Sequence, residues 1–158
     1  MNVKWTGAVI FVKDIKASCR FYQEVMGQKV EFDFGPNIGF VGGFSLWQRE
    51  HATEVIFQRP IEAPEPHHND SELYFETDEI EAVCKRLENE AVEIIQPLAE
   101  QPWGSLSIHF YDFDGHLVEL AEPMSATVQR MLSQGMTEEA AAQKTGLPIE
   151  AVRQFAAA

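Results

Sequence analysis

The sequence predicts an α+β fold: two βαβββ modules followed by a short helical tail. Three observations predict it. A strand-and-helix segment recurs at an offset of 65 residues, each copy is followed by alternating strand-like segments, and the pattern changes after Pro123.

The repeat is seen by laying "TGAVIFVKDIKASCRFYQEVMG" over "DSELYFETDEIEAVCKRLENEA". Ile15 then meets Ile80, Ala17 meets Ala82, Cys19 meets Cys84 and Arg20 meets Lys85. Both copies run from an apolar strand through an acidic residue into an amphipathic helix. Asp14 suits one helix start, and Asp78 or Glu79 the other. Ile15, Cys19, Tyr22 and Met26 form one helical stripe, answered by Ile80, Cys84, Leu87 and Ala91. Thiols on such stripes read as small core residues, not nucleophiles. After the first helix come "QKVEFDFG", "NIGFVGGFSLWQ" and a further candidate strand, "EVIFQ"; after the second come "VEIIQP", "SLSIHFYDF" and "HLVELAEP". Gly42–Gly43 and Asp114–Gly115 mark turns. The modules span residues 1–58 and 70–123, with a Pro-rich linker over 59–69.

Beyond Pro123, Ser125, Thr137 and Pro148 read as helix starts and Gly135 and Gly146 as stops, giving three short helices over 124–158. "MTEEAAAQKTGLPIEAVRQF" has the look of a helix-turn-helix, which brings in one reading, a ligand-sensing regulator. Its Lys and Arg are matched by Glu, and a recognition helix needs cationic and amide groups facing phosphate and base edges. Packing through Val128, Met131, Leu132, Val152 and Phe155 suits the tail better.

The 158 residues are 45% hydrophobic, enough for one compact domain with a real core. A net charge of -13 and a pI near 4.7 oppose a phosphate backbone, so nucleic acid is not an expected partner. No apolar run of about 18 residues exists and no signal sequence is evident, so a soluble cytoplasmic protein without membrane contact is expected. Two cysteines make no disulfide framework.

Strand parity sorts the side chains into two faces. Leu73 and Phe75 alternate with Glu72, Tyr74 and Glu76; Leu106, Ile108 and Phe110 with Ser107, His109 and Tyr111; Val118 and Leu120 with Leu117 and Glu119. In the first module Val30, Phe32 and Phe34 alternate with Glu31 and Asp33, and Phe44 and Leu46 with Ser45 and Trp47. A merely wet face rarely carries so many large groups, so the second face reads as a binding face for a small molecule, acidic and aromatic.

The repeated βαβββ unit, "VKDIKASCRFYQEVMG" and above all "YDFDGHLVELAEP" resemble the vicinal oxygen chelate superfamily, which holds glyoxalase I, extradiol dioxygenases, fosfomycin-resistance and bleomycin-resistance proteins. "DFDGHLVEL" is similar to the family's D-P-D-G-x-x-x-E-L ending, with Phe113 in place of Pro, and "EQPWG" is similar to a stretch of uncharacterised glyoxalase-like members. The resemblance covers residues 1–123 and implies a glyoxalase-like domain there: modules curled into a mixed-sheet cup, a homodimer, and one divalent ion held by four side chains. Carried over residue by residue, the four positions fall on Gly7, on Ser45 or Trp47, on Glu72 and on Glu119. Glu72 and Glu119 are the metal-ligand and catalytic candidates, whereas Gly7 and Ser45 offer no such ligand.

Two readings therefore stand side by side. In one, Glu72 and Glu119 recruit His109 or a linker His (His67, His68) to hold Mn²⁺, Fe²⁺, Ni²⁺ or Zn²⁺ for lyase, isomerase or dioxygenase-type chemistry. In the other there is no metal, and a cationic or amphipathic ligand binds as in the bleomycin-resistance branch. Trp47, Tyr74, Trp103, His109, Tyr111 and Ser45 are the substrate-binding candidates in either case.

Overall fold

The computed structural model describes residues 6–57 and 68–157, which form two compact units, Met1–Pro66 and His67–Ala158. Most of the expected linker, His67 included, lies outside the described residues.

Each unit carries a four-stranded mixed sheet of the same topology. In the first, β1 (Ala8–Val12) pairs in parallel with β4 (Phe44–Gln48), and β3 (Asn37–Phe40) and β2 (Val30–Asp33) follow antiparallel. In the second, β5 (His68–Glu76) pairs in parallel with β8 (His116–Ala121), followed by β7 (Leu106–Tyr111) and β6 (Glu93–Glu100). A parallel pair needs a crossover, supplied by α1 (Ile15–Arg20) and α3 (Ile80–Leu87). Asp14 caps α1 by accepting from the N–H groups of Lys16 and Ala17.

One face of each sheet packs on its helix. In the first unit Phe21 and Tyr22 are fully buried with Val12, Phe40 and Leu46, and the Tyr22 ring lies 4.8 Å edge-on to Phe44. In the second, Ile80, Val83 and Leu87 are buried, as are Ile108, Phe110, Val118 and Leu120 of the sheet. The expected stripe of the first helix is re-phased. Residues Phe21–Val25 form a π-helical turn, closed by Met26 N–H donating to Phe21 C=O (3.1 Å). Ser18, Phe21 and Val25 therefore turn inward beside Tyr22 and Met26, while Cys19 is half-buried. Burial pushes both thiols, Cys19 and Cys84, above the ordinary range, which disfavours the thiolate.

Two strand assignments differ from the sequence reading. "EVIFQ" is not a strand: Arg49–Phe57 is a helix, α2. Gln48 ends β4 by donating to Lys13 C=O and to Glu50 Oε2 (2.7 Å each), Thr53 Oγ1 donates to Glu50 C=O, and Ala52 is small enough to be buried completely. In β2, a register shift between Val30 and Phe32 sets Phe32 opposite Gly39, on the face away from the helix. Asp33 then serves a turn, its carboxylate accepting from Gly35 N–H at 2.7 Å.

Three helices follow β8: α4 (Met124–Ser133), α5 (Glu138–Thr145) and α6 (Ile149–Ala156). Thr137 caps α5, and Gly146 ends it in a left-handed conformation (φ 73°). Val128, Met131, Ala141 and Val152 form their buried core, with Leu132, Met136 and Phe155 against it. All three tail cations are paired: Arg130 with Glu122 and Glu100, Lys144 with Glu100, and Arg153 with Glu138. No helix of the described residues is long and apolar enough to cross a membrane.

Candidate functional site

The open face of the second sheet is set by strand register. Glu119, in the central strand β8, has Tyr74 of β5 as its neighbour on one side and His109 of β7 on the other. Residues paired across strands point to the same face, and Glu72 lies two residues from Tyr74 on that face. The outcome is a cluster in which Glu72, His109 and Glu119 each offer a ligand atom, all within 4.8 Å of one another.

Its polar groups are close together and incompletely matched. Glu119 is only 8% exposed, and its Oε2 lies 3.7 Å from His109 Nε2, beyond hydrogen-bond length. His109 Nδ1 is buried and without a partner. Two carboxylates and an imidazole are a donor set suited to Mn²⁺, Fe²⁺, Ni²⁺ or Zn²⁺. Donors around such an ion lie roughly 3–4 Å apart, so these three need only a small contraction, and the residues fit the group.

Around the cluster the face is polar and aromatic. Tyr74 donates its hydroxyl to Glu76 Oε1 at 3.0 Å. Burial first, then that bond and the charges of Glu76, Glu119 and Glu72, push its phenol up to about 12, so it remains a donor at neutral pH. Tyr111 shares the face, in the row of Leu117 and Glu72. Gln96, the strand neighbour of His109, accepts from Gln101 Nε2 (3.4 Å), which also donates to the buried Ser107 hydroxyl (2.8 Å). Sequence reasoning missed this amide pair, because Gln101 lies beyond the strand and only the turn brings it back. Trp103 stands in that β6–β7 turn, at the other end of β7 from Tyr111, and is 43% exposed. His68 pairs with His116 in the sheet, and His116 Nδ1 lies 3.0 Å from Asp112 in the β7–β8 turn.

The first sheet repeats the register without the donors. Val9 pairs with Ser45 as Tyr74 pairs with Glu119, and Gly39 pairs with Ser45 as His109 pairs with Glu119. Of the two sequence alternatives, Ser45 is thus the counterpart of Glu119 and Trp47 is not. Gly7, Gly39 and Ser45 stand where the second sheet has Glu72, His109 and Glu119. Gly7 is held in this state: at φ 151° a Cβ would lie 1.7 Å from Gly43 O. Over Gly39 lies the Phe32 ring, 2.1 Å from where a Cβ would be. Trp47 is oriented by its indole N–H donating to His51 Nδ1 (2.8 Å) and by Phe11 edge-on at 6.0 Å.

Two βαβββ modules of one sheet topology, with a match to the glyoxalase-like domain, put the chain in the vicinal oxygen chelate class. The chain belongs to the glyoxalase-like family, whose domain matches residues 5–125. A protein of unknown function from Agrobacterium tumefaciens is 31% identical, with a TM-score of 0.71 over 78% of this chain and 96% of its own. A glyoxalase-related enzyme from Fulvimarina pelagi is 27% identical (TM-score 0.58, covering 73% and 86%). A glyoxalase/bleomycin resistance protein/dioxygenase from Nocardioides is similar in fold, at 23% identity (TM-score 0.58, covering 77% and 84%). None of the curated proteins matches the chain.

Proposed function

We propose that this chain is a small-molecule enzyme of glyoxalase-like type, lyase or isomerase in class, in which Glu72, His109 and Glu119 hold one divalent ion. The observation that carries this reading is the meeting of three donors within 4.8 Å, one of them on the buried residue Glu119 and another on the imidazole of His109, whose Nδ1 is buried without a partner. When bound, such an ion polarises two neighbouring oxygens of a ligand and stabilises charge that develops on them. The chain's own residues divide the remaining work. Glu119, fixed between Tyr74 and His109 in the central strand, is the rigid anchor. Glu72 is exposed, so its carboxylate can reach a ligand and take a proton from carbon beside a carbonyl. Tyr74 stays protonated and offers its hydroxyl to a ligand oxygen in exchange for Glu76. In this reading the protein works as a homodimer, which sedimentation checks.

The test is elemental analysis of the purified chain after dialysis against Mn²⁺, Ni²⁺ or Zn²⁺. About one ion per chain, lost in Glu119→Gln and weakened about ten- to a hundredfold in His109→Ala, supports the reading. A second reading, a binding protein without metal, is favoured by the donor-free Gly7 and Ser45. Absence of any ion under all three conditions would select it.

A further inference from the structure

None of the eight strands in the described chain carries a lysine or an arginine; the described ones lie on helices or in connections. Two cations that reach the acids bordering the second sheet are engaged, Arg130 by Glu122 and Glu100 and Lys144 by Glu100. Strand-borne acids, by contrast, line one row of the open face: Glu72, then Tyr74, then Glu76 along β5. An anionic group on a ligand finds no countercharge on these strands, whereas a cationic group finds two surfaces that suit it. One is the Glu76 carboxylate, and the other is the half-exposed Tyr74 ring.

The spacing adds a length. Tyr74 and Glu119 are partners on adjacent strands, about 4.8 Å apart, and Glu76 lies one same-face step, about 6.6 Å, further along β5. We infer that the site takes ligands carrying two neighbouring oxygens at one end and an ammonium or similar cation about 7–8 Å away, and that Glu76 sets this preference. The inference rests on the neighbouring-oxygen reading above and adds the charge and reach of the rest of the molecule. One unit charge about 5 Å from a carboxylate, in a half-wet setting, is worth about a tenfold change in affinity. Because Glu76 is exposed, salt should shrink it.

Three catechols of similar size isolate the charge: dopamine (+1), 4-ethylcatechol (0) and 3-(3,4-dihydroxyphenyl)propionate (−1). Each is titrated calorimetrically, under argon, into the Zn²⁺-loaded full chain and into Glu76→Gln. Dopamine is expected to bind about tenfold tighter than ethylcatechol, and the propionate about tenfold weaker. In Glu76→Gln and in 0.5 M salt the spread should narrow to about threefold. Catechols that bind without charge order would overturn the charge inference and leave the neighbouring-oxygen reading standing. A charge order undiminished in Glu76→Gln would remove Glu76 from the role. Zinc binding with no catechol bound would overturn the neighbouring-oxygen reading, and the inference with it.

Discussion

Arg130→Met removes the central partner of a coupled, largely buried ion pair, and its cost can be worked from the structure. Glu122, the residue after β8, has a side chain only 8% exposed, and the Arg130 guanidinium is its sole countercharge among the described residues, with Nε–H donating to Oε1 at 3.1 Å. The same guanidinium reaches Glu100 Oε2 (3.1 Å) and the Gly104 carbonyl, so it ties α4 to the β6–β7 turn. Removing one partner of a buried ion pair costs about 3–5 kcal/mol. Glu122 would keep two other donors, Leu106 N–H and the Thr127 hydroxyl, each at 3.0 Å, and Arg130 is partly solvated. That places the expected loss lower, at about 2–4 kcal/mol. Urea unfolding at pH 7 measures it, and the cycle with Glu122→Gln isolates the pair: the double variant should be at least ~1 kcal/mol more stable than the sum of single losses allows. A loss under 1 kcal/mol, or strictly additive losses, would refute the claim that this pair is buried and coupled.

Two further expectations concern the face itself. Gly7→Ala should lower stability by about 3 kcal/mol or more, since the added Cβ meets backbone at Gly43 and not a movable side chain; thermal unfolding decides it. The phenol of Tyr74, isolated by difference absorbance against Tyr74→Phe, should titrate near 12, and Glu76→Gln should bring it down toward 10. The linkage follows in sign: a raised folded value means that this contribution to stability is whole below about 10 and is lost as pH climbs through about 12.

How much of this was legible in the sequence depended on the range of the cause. The two modules and their crossover helices were visible because period-2 and period-3.6 patterns repeat at one offset, and Asp14, Thr137 and Gly146 act within a few residues of themselves. The helix at Arg49–Phe57 was not visible. Its first turn is set by Gln48, which also bonds Ile15 N–H and Lys13 C=O from a segment more than thirty residues away. The bulge that turns Phe32 over is likewise decided by its partner: Gly39 makes the room. Glu72 and Glu119 were reached through the resemblance, and parity placed His109 on their face. That His109 pairs with Glu119, and Ser45 rather than Trp47 answers it in the first module, is a matter of cross-strand register, which no single strand encodes.

The close approach of Gly7 to Gly43 limits which substitutions the chain can take as well as setting its shape. A chain with this backbone cannot acquire a side-chain ligand at position 7 by one substitution, because any Cβ collides before its donor atom can matter. Gly43, itself at φ 87° and with Thr6 O 2.7 Å from where its own Cβ would lie, would have to be re-formed first. The two sheets are therefore unequal in what substitution can do: the second can be elaborated around Glu119, but a matching side chain at position 7 is closed to any single step.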